Sequence, residues 1–337
     1  MSSSRPTIRD VARLAGVSHQ TVSRVINRSN DVTPDTRERV EAAILELGYR
    51  PSAIARSMAR GETHTLACIS PNLTDYTFAS IIEGAEQEAR SQGYFLLSSS
   101  ARDAAGFAEL VDELVGHRRV DGLLVINPYA DERHELIPPE FPVVFVGAHS
   151  RGGPIPSVSL DDEGAAYAAT RHLLERGHRR IALITGPMVE DCSVDRRAGF
   201  AKAMETAGIP IDENLVYEGD WSASSGREAL LKMSQQNNLP DAVFAQNDRM
   251  ALGVLHAARE LGLRIPEELA VIGVDDMPLA SYFDPPLTTM RQDMPHIGRE
   301  AARVLLQRIQ NPRAALLQVK LPAELVVRQS TCKAERR

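Results

Sequence analysis

Two sets of residues in this chain carry chemistry that a merely solvated surface does not need. In the first, His19, Gln20, Ser23 and Arg24 are spaced to share one face of a short helix. A glutamine amide can hold an adenine edge with two hydrogen bonds, and a guanidinium suits guanine O6 and N7 or a phosphate. Thr21 and Asn27 fall where short side chains reach a DNA backbone. In the second set, Arg196 donates and Asp275 accepts, so together they can fork onto neighbouring hydroxyls of a sugar. Asn247 adds an amide, and Trp221, the only tryptophan, offers a ring to the sugar's apolar face. No nucleophile–base pair or second carboxylate in motif form accompanies them, so catalysis is not expected. Cys68, Cys192 and Cys332 are odd in number and far apart, which suits neither a disulfide framework nor a zinc ribbon. They are expected to be reduced thiols, and no metal or cofactor is expected.

The elements that must position the first set can be read from local signals. Thr7 with Asp10 at the N3 position opens a helix whose Ile8, Val11, Ala12 and Ala15 share a face. Gly16-Val17 breaks it, and Ser18 caps a second helix running through Asn27 with Val22, Val25 and Ile26 inward. Thr33-Pro34 starts a third, which buries Val40, Ala43, Ile44 and Leu47 and stops at Gly48. This is a tight helix-turn-helix, whose second helix offers its exposed side chains to a major groove. The plainer reading, a solvated polar helix face, stays open on spacing alone.

From Thr65 onward short apolar strands alternate with amphipathic helices. Strands are expected at Leu66–Ser70, Tyr94–Ser98, Gly122–Ile126, Val143–Gly147, Ile181–Thr185, Ala242–Ala245 and Ala270–Val274. Gly93, Gly177, Gly208 and Gly262 sit where helices should stop. So many units imply an α/β body of two doubly wound parallel sheets, with a ligand cleft beyond the carboxyl ends of the strands. Asn247 and Asp275 follow strands directly, and Arg196 lies on the helix after Thr185. Local alternatives compete here. Asp275 and Asn247-Asp248 can cap the helices that follow, Arg196 can pair with Asp191 or Asp195, and Trp221 can pack a hinge.

Charge divides the chain in the same way. Residues 1–60 hold ten arginines against six acids, which leaves −11 on the remainder of a chain whose net charge is −7. A basic head on an acidic body fits a small phosphate-contacting module joined to a part that leaves DNA alone. Residues 1–9 lack an apolar signal core, and no run of about 18 apolar residues could cross a bilayer, so a cytoplasmic location is expected.

A longer pattern joins these pieces. Thr7-Ile8-Arg9-Asp10-Val11-Ala12, Ala15-Gly16-Val17-Ser18, Thr21-Val22-Ser23-Arg24-Val25-Ile26-Asn27, Thr36-Arg37 and Leu47-Gly48-Tyr49-Arg50-Pro51 resemble the DNA-binding signature of the lactose/galactose repressor family. In the body the resemblance continues through Asp121-Gly122-Leu123, Arg196-Arg197-Ala198-Gly199-Phe200, Asn247-Asp248-Arg249-Met250-Ala251, Gly273-Val274-Asp275-Asp276 and Pro286-Leu287-Thr288-Thr289. It implies a helix-turn-helix head over residues 1–50, a hinge helix over 51–61 and a two-lobed body over 62–330 like a periplasmic sugar-binding protein. Lobe 1 would span about 62–160 plus 292–322, lobe 2 about 161–291 plus 323–330, and 331–337 would be a tail.

The resemblance also assigns residues. Thr7, Ser18, His19, Gln20, Thr21, Ser23, Arg24 and Asn27 would contact DNA. Ala55 would let two hinge helices approach, and Met58, where the family usually has leucine, would wedge into the minor groove or pack the dimer seam. Arg196, Trp221, Asn247 and Asp275 would touch the effector, with Asp75, Tyr76, Phe78, Asn127 and Gln292 as further lining residues. Gly147 would leave one hydroxyl contact of some sugar-binding relatives unfilled. The function implied is a homodimeric repressor on a palindromic operator, released by a sugar inducer. A purine-type co-repressor and a transport sugar-binding protein are the alternatives.

Overall fold

The first helix begins where a threonine and an aspartate satisfy one another. The computed structural model describes residues 6–26, 29, 31–50, 62–129, 131–149 and 155–332. Its head contains α1 (Ile8–Ala15), α2 (His19–Ile26) and α3 (Pro34–Leu47). The Thr7 backbone N–H and hydroxyl both donate to the Asp10 carboxylate, at 2.9 and 2.7 Å. Those bonds hold Asp10 below its usual pKa. Gly16, at φ 61°, ends α1 in the left-handed region, and Ser18 Oγ opens α2 by accepting from the Thr21 N–H at 3.1 Å. Val11, Ala12, Ala15, Val22, Val25, Val40 and Ala43 are buried together, with Ile8, Ile44 and Leu47 packed against them. Asn27, Ala55 and Met58, and the hinge segment 51–61 as a whole, lie outside the described residues.

The chain divides at Thr63/His64 into two compact units. The second unit holds two sheets, as the alternating pattern predicted, each of six strands where the sequence reading names seven strands in all. Its first half runs β1 (Thr65–Ser70), α4 (Tyr76–Ser91), β2 (Phe95–Ser100), α5 (Ala104–Val111), β3 (Gly122–Ile126), β4 (Val143–Val146) and β5 (Ser157–Leu160). The second half runs α6 (Asp162–Glu175), β6 (Ile181–Thr185), α7 (Asp191–Thr206), β7 (Val216–Glu218), α8 (Ala223–Gln235), β8 (Ala242–Ala245), α9 (Asp248–Glu260), β9 (Ala270–Asp275) and β10 (Thr288–Arg291). The chain then returns through α10 (Met294–Gln310) and β11 (Gln318–Leu321) and ends its regular structure with β12 (Glu324–Val326). The strand orders are β11-β5-β4-β3-β1-β2 and β12-β10-β9-β8-β6-β7, all parallel except the β10–β12 pair. The chain therefore crosses between lobes three times: from β5 to α6, from β10 to α10, and from β11 to β12.

The strands at the centre of each sheet are apolar along their whole length because helices cover both faces. Leu124, Ile126, Val144 and Val146 pack under α4 and α10 in lobe 1, while Ala182, Ile184, Val243 and Val271 pack under α8 and α9 in lobe 2. Cys68 is buried on β1, where desolvation pushes its thiol up to about 12 and makes it inert. Thr331 is also buried, its hydroxyl 2.8 Å from His172 Nε2 and from Thr288 Oγ1, so the packing of lobe 2 reaches into the segment expected to be tail.

Glycines let the covering helices touch backbone to backbone. A Cβ on Gly298 of α10 would stand 1.9 Å from the Ile81 carbonyl oxygen of α4, and one on Gly84 would meet the Pro295 carbonyl oxygen at 2.0 Å. Gly226 of α8 and Gly253 of α9 are matched in the same way. In an exposed helix, replacing glycine by alanine stabilises by up to about 1 kcal/mol. Here the contact is with backbone, which cannot swing aside, and overpacking of about 1–3 kcal/mol outweighs that gain. Gly298→Ala should accordingly lower stability in urea unfolding, and a neutral or stabilised variant would refute the close α4–α10 contact.

Candidate functional site

On the head, α2 turns Val22 and Val25 into the core, and this leaves His19, Gln20 and Arg24 exposed on the opposite side. Thr21 and Ser23 are half-buried at the edges of that face. Two of the expected DNA-contacting residues also build the frame. Ser18 Oγ lies 2.9 Å from Thr21 Oγ1 while capping α2, and Thr7 belongs to the box that starts α1. The local geometry thus fixes the start of α2 and with it the direction of Gln20.

In the body, strand ends and helix starts converge on a half-open cleft. Lobe 1 contributes Asp75, the N-cap of α4, with Phe78 from that helix's first turn, and Asn127 and Gly147 beyond β3 and β4. Lobe 2 contributes Glu190 at the start of α7, Arg196 within it, Trp221 before α8, Asn247 before α9 and Asp275 at the end of β9. Gln292 sits on the second crossing. Of the nine residues expected to line the cleft, Tyr76 does not. It is 42% exposed, and Phe78, about 200° further round the helix, turns inward instead.

Arg196 is 5% exposed and has a partner that local spacing could not suggest. Its Nε donates to Asp162 Oδ1 at 2.7 Å and its Nη1 to the Gln246 carbonyl at 2.5 Å, so neither Asp191 nor Asp195 holds it. Burial works against the guanidinium charge, yet Asp162 foremost, with Cys192 and Asp275, lifts its pKa above the ordinary value. The same burial raises the Asp162 carboxyl, with Arg196 opposing. The guanidinium carbon lies 5.8 Å from the Trp221 ring centroid.

Trp221 is held from three sides. Its Nε1 donates to Glu190 Oε1 at 3.1 Å, and its carbonyl accepts from Asn247 Nδ2 at 3.1 Å. Its ring lies so close to Gly186 that a Cβ there would stand 2.1 Å from it, which leaves room only for glycine at the end of β6. Asn247 does cap α9, Oδ1 accepting from the Met250 N–H at 2.8 Å, so both arms of its amide position neighbours. Asp275 does not cap a helix. It stands at φ 121°, and its carboxylate accepts from Gln292 Nε2 at 2.8 Å. Burial raises its pKa to about 7, with Asp75 adding to the rise and Arg196 and Arg249 opposing it.

Four ionisable lining residues escaped the sequence reading: Asp162, Glu190, Cys192 and Arg249. Glu190 lies five residues beyond β6, so the strand-end rule that found Asn247 would have found it too. Asp162 lies two residues beyond β5, but the polar residues of that strand hid it from the sequence reading, so the same rule did not reach it. Two of the four tie the lobes together. Arg249 Nη2 reaches Asp75 Oδ2 at 2.5 Å, and Glu190 Oε2 accepts from Asn127 Nδ2 at 3.0 Å. His149 lies 3.2 Å from Asp191 and 3.4 Å from Asp195, contacts that become ion pairs when its ring is protonated.

Comparison with known proteins decides the family. Residues 7–52 match the family model described as bacterial regulatory proteins, lacI family, and residues 170–331 match the periplasmic binding protein-like domain. Catabolite control protein A of Priestia megaterium is 36% identical over 96% of this chain and 99% of its own length. The chain belongs to the lacI family of bacterial regulatory proteins.

Two solved family structures superimpose on it. The lac repressor dimer bound to operator and the anti-inducer ONPF matches with a TM-score of 0.87 and 32% identity, covering 97% of this chain and 99% of that one. The transcriptional regulator CelR in complex with cellobiose matches at 0.74 and 34%, covering 97% and 100%. The two-sheet α/β body and helix-turn-helix head implied by the sequence resemblance are those of this family. Among the described residues no helix is long and apolar enough to cross a membrane, and no group of three or more candidate metal ligands occurs.

The raised carboxyl of Asp275 makes stability depend on pH. A folded-state value near 7 against an ordinary 3.8 means that the folded protein holds this proton more tightly. The contribution of the group to stability therefore declines as pH rises between those values, and its penalty is complete above about 7. Asp248 titrates with it, also raised by burial and by Asp275. Asp275→Asn keeps the shape and suits a positive φ, so its melting temperature relative to wild type should rise between about pH 5 and about pH 8. A difference that stays constant across that range would rule out a buried charge at this position.

Proposed function

We propose that this protein is an operator-binding repressor, working as a homodimer on an inverted repeat and released by a sugar bound in the cleft. What carries the reading is the convergence of an aromatic face, Trp221, with the buried side chains of Arg196 and Gln292 and the half-buried carboxylate of Asp275 in one cavity. A sugar ring has that double character, apolar on its faces and hydroxylated at its rim. The cellobiose in the CelR complex and the operator in the lac repressor complex support it as the chemistry of relatives. Two-fold operator symmetry follows from one α2 reading one half-site.

The coupling rests on the ties between lobes. Asp75–Arg249 and Asn127–Glu190 are built from cleft-lining side chains, so a ligand that takes up any of these groups changes the relative stability of lobe arrangements. Such a ligand favours one arrangement by its differential contacts, and operator affinity follows the arrangement. By this reading the protein turns over no substrate.

Two variants test the halves separately. Trp221→Ala should weaken effector binding by about 1–3 kcal/mol in calorimetry while leaving operator affinity nearly intact. Arg196→Ala is a poor probe, because it strands the buried Asp162 carboxylate at a cost of about 3–5 kcal/mol and confounds binding with folding. Gln20→Ala should lose about 1–3 kcal/mol on operator but hardly any on random DNA. Equal losses on both would place Gln20 on phosphate. Unchanged ligand affinity in Trp221→Ala would reduce the cleft aromatic to a packing residue.

A further inference from the structure

The cleft is unbalanced in charge. Four carboxylates line it, those of Asp75, Asp162, Glu190 and Asp275, against the guanidiniums of Arg196 and Arg249. Both cations have close carboxylate partners. Arg249 Nη2 is 2.5 Å from Asp75 and Arg196 Nε is 2.7 Å from Asp162. The hydrogen bonds that reach the other two carboxylates come from neutral groups. Glu190 is held by the Trp221 indole at 3.1 Å and the Asn127 amide at 3.0 Å, and Asp275 by the Gln292 amide at 2.8 Å. Each carboxylate oxygen has two lone pairs, so both groups retain acceptor capacity beside the cavity.

An anion entering this space meets two carboxylates in surroundings that screen charge far less than water does. A hydroxyl meets acceptors, and an ammonium meets compensating charge. Burial is the largest influence on both carboxyls and raises them above their ordinary pKa, with Arg196 opposing the rise in each.

We infer that Glu190, acting with Asp275, sets the effector class: a saccharide rich in O–H or N–H donors, with phosphorylated and carboxylated sugars refused. The inference rests on the sugar reading of the cleft and adds the selectivity. Glu190 is the decisive member because it contacts both lobes. It stands beside the Trp221 ring, where the rim of a stacked sugar would lie, and its bond to Asn127 closes the same side of the cleft.

The test is a thermal-shift and calorimetry panel on the full chain. Each neutral sugar is run beside its amino form, its phosphate ester and its uronic acid. Binding should be confined to neutral and amino members. In Glu190→Gln the phosphate ester or uronic acid of the bound sugar should gain about tenfold or more in affinity relative to the neutral parent. Asp275→Asn provides the same readout where Glu190→Gln fails to fold, as judged by its melting curve. Tighter binding of an anionic sugar by the wild-type protein would overturn the inference while leaving the sugar reading standing. So would an unchanged ratio in the folded variants. Absence of binding by every member of the panel would defeat the sugar reading itself, and this inference with it.

Discussion

The Arg196 guanidinium sits at a junction through which much of the cleft is built. Its Nε reaches Asp162, the first residue of α6 after the chain has crossed from lobe 1, and its Nη1 reaches the Gln246 carbonyl beside Asn247. Gln246 in turn accepts from the Gly186 N–H at 3.0 Å and donates to the Ser193 carbonyl at 3.1 Å. The ends of β6 and β8, the start of α6 and the body of α7 are therefore fixed by one buried polar network. A pair this deep adds little net stability, since desolvating both ions offsets most of their attraction. Its contribution is geometric. Once the network is satisfied, Gly186 has a defined place, the Trp221 ring lies against it, and Asn247 anchors the tryptophan backbone. A partly satisfied network would leave charge buried without compensation, so the arrangement has few alternatives of comparable energy.

How far this was legible in the sequence varies with the range of the interaction. The head was legible because its signals are local: Thr7 with Asp10, Ser18, Gly16, Gly48 and Pro34 each act within about one helical turn. Apolar central strands such as Gly122–Ile126 and Ala242–Ala245 announced themselves by composition. Strand β10 did not. It is Thr-Thr-Met-Arg, yet Thr288 and Thr289 are fully buried, their hydroxyls satisfied by the Arg328 carbonyl, Thr331 and Asp248 from other parts of the chain. Polar residues with remote partners look like loop from any local window. β5, Ser-Val-Ser-Leu, is the same case, with Ser157 Oγ donating to Gln318 at 2.5 Å across 161 positions.

The cleft shows the same division. Asn247 and Asp275, which follow apolar strands, were placed by the general rule for parallel sheets, whereas Asn127 beyond β3 was placed by the family resemblance. The choice between cap and ligand contact was not open to the sequence. Asn247 proved to be a cap that also faces the cavity, whereas Asp275 proved not to be a cap, its side chain held instead by Gln292 on the return crossing. Asp162 was hidden with β5, the polar strand that it follows. Tyr76 and Phe78 are a smaller case of the same problem, since a two-residue difference in helical phase decides which ring enters the site and no local signal sets that phase.

The chemistry that would bind a ligand and the contacts that would transmit its binding are made from the same side chains. Glu190 holds Trp221 within lobe 2 and Asn127 across in lobe 1. Asp75 caps α4 through Thr77 and also holds Arg249 of lobe 2. A molecule that hydrogen-bonds to Glu190 or Asp75 must therefore share or displace an interlobe bond, and it cannot bind without altering the energy of the lobe arrangement. A ligand with equal affinity for both arrangements would shift nothing, however tightly it bound. With binding groups doubling as ties, equal affinity becomes the improbable case. The α4–α10 and α8–α9 contacts reinforce this, because helices packed backbone to backbone through glycine move as rigid pairs and give a small displacement at the cleft little room to dissipate within a lobe. The compliance that remains lies in the three crossings between lobes, one of which carries Gln292 into the cavity itself.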